Sequence, residues 1–304
     1  MKSRLWLNLV LLVSIAVLAA FVYFKPGIHK PKPSVILTTL QAADINSIKI
    51  ERPGMPAVEL ARTGSGWQMT APLKLRADQY LVKALLDSLH TDVSSSFPAI
   101  QTNLGKYGLD PPHLRLWLNT TEFDFGDTEP IHNNRYVKSG GTVLLTDSLL
   151  YYRSNHTPPW WASKRLLPEG AHVIGLQLPN TTLTLKNGKW QLAPANPAIS
   201  SDAIQTLVDN WKNTQAIGTA KIGTGKPQGE VAIELAGNRQ PLRFAILQDP
   251  DFLILARPDL GLEYELDSGQ RPGLLELKSS KTSSTPANKP AKLPRHQPAG
   301  SPVH

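Results

Sequence analysis

The chain has 304 residues, 41% hydrophobic and 18% charged, with a mean hydropathy of −0.21, an ordinary globular composition that excludes wholesale disorder and collagen-like or coiled-coil chains. Its formal charge of +8 sits at its ends: residues 1–32 hold five Lys/Arg and no acid, residues 271–304 hold six against one acid, and the body between holds 21 Lys/Arg against 23 Asp/Glu. A slightly acidic body has no electrostatic footprint for a phosphate backbone, so no nucleic-acid partner is expected, and the lack of cysteine excludes disulfides, thiolate metal sites and cysteine nucleophiles.

After Lys2 and Arg4, the run Leu5 to Phe24 carries only Asn8 and Ser14 as polar side chains. As a helix it would reach about 30 Å, the thickness of a bilayer's hydrocarbon core. Ala19 and Ala20 fit a cleaved signal peptide as well, but the run exceeds the usual apolar core of such peptides, about 7 to 15 residues. Trp6 and Tyr23 stand where interfacial aromatics belong. The expectation is a single-pass, uncleaved anchor in a bacterial inner membrane, N-terminus cytoplasmic and body periplasmic, with the stub, anchor and stalk start at 1–32. Pro26, Pro31 and Pro33 form a stiff stalk.

The body carries an internal repeat. Gly66-Trp67-Gln68-Met69-Thr70-Ala71-Pro72 recurs as Lys189-Trp190-Gln191-Leu192-Ala193-Pro194, and Asp78 recurs as Asp202, at offsets of 123 for the Trp, 122 for the Pro and 124 for the Asp. Period-two strands precede each Trp, Ile48/Ile50 and Val58/Leu60 in one copy, Leu176/Leu178 and Leu183/Leu185 in the other. An amphipathic helix follows each, with Asp78 and Asp202 as expected N-caps and Gln205 as a capping-box partner. Further alternating segments run through Leu114/Leu116/Leu118, Phe123/Phe125, Tyr136-Val137 and Val143 to Leu145, and through Val231/Ile233/Leu235, Leu242/Phe244/Ile246, Phe252 to Leu255 and Leu262/Tyr264/Leu266. The fold class expected is α+β, two tandem antiparallel meanders each with one covering helix, behind a single N-terminal transmembrane helix. The repeats span 33–152 and 173–270, joined by a connector at 153–172 and followed by a disordered basic tail at 271–304.

The first copy is recognisable in its wording: Gly66-Trp67, Pro72, Ala77-Asp78, Leu85-Leu86-x-x-Leu89, then Tyr107-Gly108-Leu109-Asp110-Pro111-Pro112, Phe125-Gly126 and Arg135-Tyr136-Val137. It resembles the bacterial DUF4340 family of membrane-anchored envelope proteins over roughly residues 45–215. Some relatives resemble accessory components of ABC-type export and gliding-motility systems, so the resemblance implies envelope membrane proteins, ABC transporter subunits among them, as partners. It implies no catalytic residues. Where the second copy should repeat the Leu-Asp-Pro-Pro corner it has Gly223-Thr224-Gly225-Lys226-Pro227.

The corner at 107–112 reads as conformational: Gly108 permits positive φ, the two prolines enforce extended backbone, and Asp110 is placed to accept backbone donors. Gly223 to Lys226 lacks the glycine and Ser/Thr of a phosphate loop, with Ala220 and Pro227 in their places. Asp124, Asp127, Glu129 and Asp147 are expected as solvated carboxylates rather than a cation site, and the eight histidines show no metal or triad spacing. No cofactor and no metal are expected. Trp160, Trp161, Lys164 and Arg165 in the connector combine aromatics with cations, the composition of a partner-docking surface; the competing reading has one indole buried as core. The function favoured is a non-enzymatic, membrane-anchored periplasmic interaction protein, accessory to an ABC-type system. A binding module for cell-wall or lipid anions, acting through the basic tail, and an enzyme of unrecognised type with a deep polar pocket are the alternatives.

Overall fold

The structure, a computed structural model, describes residues 2–24, 35–64 and 66–277; the proline stalk, Ser65 and the tail beyond 277 lie outside the described residues. Helix α1 (Lys2–Phe24) covers the whole apolar run. Among the described residues no helix is long and apolar enough to cross a membrane.

Period-two alternation becomes strand throughout the body. In chain order the elements are β1 (Val35–Ile36), β2 (Ser47–Glu51), β3 (Val58–Thr63), β4 (Gly66–Ala71), β5 (Leu75–Arg76), α2 (Gln79–Asp87), β6 (Asp92–Pro98), β7 (Leu114–Leu118), β8 (Thr121–Thr128), β9 (Arg135–Ser139), β10 (Thr142–Thr146) and α3 (Leu149–Ser154). After the connector come β11 (Val173–Leu178), β12 (Thr181–Lys186), β13 (Lys189–Ala193), α4 (Ser201–Asn213), β14 (Gly218–Lys221), β15 (Pro227–Leu235), β16 (Leu242–Leu247), β17 (Phe252–Arg257), β18 (Leu262–Asp267) and α5 (Arg271–Leu275). The fold is α+β, with two antiparallel sheets of ten and eight strands.

The chain divides into two compact units, Met1–Gly54 with Lys83–Asn155, and Met55–Val82 with His156–His304. In the first, the strands run in the order β1-β6-β10-β9-β8-β7-β2. Their inward positions, such as Ile48, Ile50, Leu116, Leu118 and Phe123, are at most 1% exposed. In the second, the eight-stranded sheet runs β13-β12-β11-β15-β16-β17-β18-β14, and α4 buries Ile204, Leu207, Val208 and Trp211. Thus β6-β10-β9-β8-β7-β2 is matched strand for strand by β14-β18-β17-β16-β15-β11, and the hairpin β3-β4 by β12-β13. The spacing of the repeat assigns residues 55–82 to the first half, yet they cluster with the second unit, against whose core Leu73 and Leu75 pack.

Three local expectations are corrected. Helix α4 is capped by Ser200, whose side chain accepts the Ala203 amide at 3.1 Å, because the chain enters the helix two residues earlier than Asp202 implied. Asp202 lies inside the first turn, where its charge meets the positive helix end, and Gln205 bonds Asp209 at 3.0 Å rather than closing a capping box. Asp78 does cap α2, accepting from Tyr80 at 2.9 Å and Leu81 at 3.2 Å. Ordered chain also continues past 270: Leu274 is 1% exposed and its carbonyl accepts the Trp211 indole N–H at 2.8 Å. Trp67 is buried, but its counterpart Trp190 is only partly so, since β13 is an edge strand.

Candidate functional site

The connector is placed by backbone pairing within the second unit. The Asp78 amide donates to the Trp161 carbonyl at 2.8 Å and the Ser163 amide to the Arg76 carbonyl at 2.8 Å, with Ala77 and Ala162 bridged between them. On the other side the Ala216 amide donates to the Lys164 carbonyl at 2.8 Å, and Arg165 bridges Gln215. Residues 161–165 are therefore laced between the segments at 76–78 and 215–216. Gln79 completes the lacing: its side-chain carbonyl accepts the Trp67 amide at 2.8 Å and its NH₂ donates to the carbonyls of Trp67 and Ala77 at 3.0 and 2.7 Å. Nothing in the sequence singled out Gln79, since a glutamine after a cap is unremarkable until its partners are known.

The two connector tryptophans part company. Pro158–Trp161 forms a short 3₁₀ turn that leaves the two indoles differently buried. Trp161 is fully buried, so its expected exposure to a partner is corrected: it is a core side chain. Trp160 is 38% exposed, stacked on His156 at 4.8 Å between ring centroids, with the Lys164 ammonium 5.8 Å from its ring. Arg165 leaves this cluster and lines a cleft of about 360 Å³, together with Lys74, Arg76, Glu169, Arg257 and Tyr264.

In the first unit the 107–112 corner is built by close approach. Gly108, at φ 64°, closes the 3₁₀ turn Leu104–Tyr107 and donates to the Gly105 carbonyl at 3.2 Å. A Cβ on it would stand 2.7 Å from the Asp127 carboxyl carbon, and one on Gly126 only 2.1 Å from the Tyr107 carbonyl oxygen. The Tyr107 ring lies 5.5 Å from Phe97 and 4.6 Å from Tyr136, Leu109 and Pro112 are buried, and the Asp110–Pro111 peptide is cis. The Asp110 carboxylate, expected to fix the corner, is exposed and accepts no hydrogen bond among the described residues; Asp127 packs there instead, bonded to His113 at 2.7 Å.

The other carboxylates are each committed separately. Asp124 is 4% exposed, which corrects its assignment to a solvated face. The register sets it opposite Arg115 on β7 and Lys138 on β9, and their cations reach it at 3.2 and 2.8 Å, compensating the charge as it is desolvated. Beside it, Glu122 titrates above the usual carboxylate range, through desolvation first and then the Asp124 charge. Glu129 titrates low: desolvation pushes it up, but the amides of His132 and Ile131 at 2.7 and 3.1 Å outweigh that. Asp147 accepts from Thr91 at 2.6 Å and from the Leu149 amide at 2.8 Å. Among the described residues no group of His, Asp and Glu is arranged to hold a metal ion. In the Gly223–Lys226 loop, the Gly223 amide is taken by the Glu263 carboxylate at 2.8 Å.

Comparison with curated proteins and with solved structures found no match. The family described as Domain of unknown function (DUF4340) matches residues 67–230, a span that holds α2, the 107–112 corner, the whole connector and α4. The chain belongs to the DUF4340 family.

Proposed function

We infer that this chain is a non-enzymatic envelope protein, held in the inner membrane by α1 with its body on the periplasmic side, that acts by docking other envelope membrane proteins as an accessory to an ABC-type transport system. The observation that carries the anchor is the surface of α1. Leu9, Val10, Leu11, Leu12 and Val13 are five successive apolar side chains, each 47% exposed or more. At about 100° per residue they go right round the helix, leaving no polar face toward water. A helix apolar on every side belongs in lipid or in a core. The body reads as two copies of one α+β meander, supported by the matched strand orders and by Trp67 and Trp190 on the corresponding strands β4 and β13.

The docking element is Trp160 with Lys164, an exposed indole beside a cation, the kind of residue that anchors interfaces. An alkaline-phosphatase fusion after residue 277 should be active, and the mature chain should retain its N-terminal residues; activity only of a cytoplasmic reporter would refute the topology. Trp160→Ala should weaken capture of membrane partners about thirtyfold, as a hot-spot truncation of about 2 kcal/mol does, with the melting temperature unchanged. Unchanged capture would exclude this surface.

A further inference from the structure

The cleft in the second unit is lined by more positive charge than it neutralises. Lys74, Arg76, Arg165 and Arg257 line it against the single carboxylate of Glu169. Two of the four cations are committed. Arg76 pairs with Glu169 at 2.9 Å, and Arg257 makes a two-pronged pair with Asp259 at 2.8 and 2.7 Å. Lys74 and Arg165 have no carboxylate partner among the described residues. Pairing of the Arg165 segment with Gln215 and Ala216 fixes the backbone from which this uncommitted guanidinium extends.

The remaining wall is apolar. Leu75, Leu242 and Leu260 line the cleft as partly buried side chains at the edge of the core. Tyr264 lines it as well, 5% exposed, and its hydroxyl has no hydrogen-bond partner among the described residues. That hydroxyl is not among the sealed, unpartnered polar atoms of the molecule either, so it opens to the cleft. Burial pushes its titration up, with Asp259 adding to the effect and Arg257 opposing it, so it remains a protonated donor. The volume, about 360 Å³, is that of a small-molecule site.

We propose that this cleft binds an amphipathic anion, a phosphate or carboxylate borne on a short apolar chain, with Arg165 gripping the charged end and the leucine wall and Tyr264 receiving the rest. The guanidinium offers a planar fork of donors matched to two oxygens of such a group. Its positive surroundings concentrate anions near the cleft mouth. The apolar wall excludes a bare inorganic ion as the preferred ligand, because such an ion leaves that wall wet. This inference stands apart from the docking role of Trp160, which does not line the cleft.

The test is calorimetric titration of the full chain, in neutral detergent, with hexyl phosphate and hexanoate, using inorganic phosphate and hexanol as controls. Hexyl phosphate should bind at least tenfold more tightly than either control. Arg165→Ala should weaken it tenfold or more, Arg165→Lys less, and Tyr264→Phe severalfold, while Trp160→Ala leaves it unchanged. Binding unaffected by both Arg165→Ala and Tyr264→Phe, no binding of hexyl phosphate or hexanoate, or inorganic phosphate binding as tightly as its hexyl ester would each overturn the proposal. Competition by dihexanoyl phosphatidate separates the sources. Displacement of hexyl phosphate marks the ligand as a lipid, and failure to displace marks it as a soluble monoester or acid; either result upholds the cleft.

Discussion

Replacing Gly126 by alanine tests the closest approach in the first unit. The new Cβ would lie 2.1 Å from the Tyr107 carbonyl oxygen and 2.9 Å from Leu109 Cγ. Side-chain carbons essentially never come within 3.0 Å of such an atom, so the Tyr107 carbonyl must retreat by about 0.9 Å. It cannot swing aside as a lysine tip could. Its peptide leads into Gly108, whose amide is bonded to Gly105, and its ring is packed against Phe97 and Tyr136. Overpacking a core costs about 1 to 3 kcal/mol, and a backbone obstacle places this one at the upper end, about 3 kcal/mol. A comparison variant isolates the steric part. Gly140 has φ 55° and open space around it, so Gly140→Ala should cost only the left-handed backbone penalty, about 1 to 2 kcal/mol. Thermal melts of the full chain, followed by intrinsic fluorescence, should place Gly126→Ala about 6 to 12 °C below the parent, at roughly 2 to 4 °C per kcal/mol. If Gly126→Ala melts no lower than Gly140→Ala, the close packing of strand on corner is wrong.

In urea denaturation, Trp161→Ala should lose about 3 to 5 kcal/mol and Trp190→Ala markedly less, because the first indole is fully buried and the second only partly. Asp78→Ala and Ser200→Ala should each cost about 1 kcal/mol as lost caps, whereas Asp202→Ala should lose only the dipole contribution, about 0.3 to 1 kcal/mol; a larger loss at 202 than at 200 would contradict the observed cap. The Arg257 hydrogen bonds hold the Asp259 carboxyl below its ordinary value against an opposing desolvation. A depressed folded pKa contributes stability that is complete above the unfolded value, about 4, and is lost as pH falls through the folded one. Urea midpoints taken from pH 6 down to pH 2 should therefore fall less steeply for Asp259→Asn than for the parent.

Strands were legible wherever one face is buried, because Leu114/Leu116/Leu118 or Val231/Ile233/Leu235 alternate in the sequence as they do in space. Strand β6 was not legible: Asp92-Val93-Ser94-Ser95-Ser96 has no apolar face, and its pairing with β10 and β1 makes it a strand. Asp124 alternates with two phenylalanines and looks wet. Its burial follows from cations supplied by neighbouring strands, which only the register reveals. Ser200 and Asp202 are both good cap residues two positions apart, and backbone entry decided between them. For Trp160 and Trp161, adjacency in sequence hid opposite environments. The cleft had no signature at all, since its walls come from segments near 74–76, 163–169, 242 and 257–264.

The discontinuity of the two units bears on how the chain is made. Residues 55–82 emerge from the ribosome early, yet the rest of their compact unit begins at 156. Until the residues up to 155 have been synthesised, that stretch waits with Leu73 and Leu75 uncovered, a long-range dependence of the kind that slows folding and invites aggregation. Synthesis arrested at the connector yields every residue of the first unit with the 55–82 segment still unpartnered, and a holdase that shields 55–82 during synthesis would raise the yield of the whole protein.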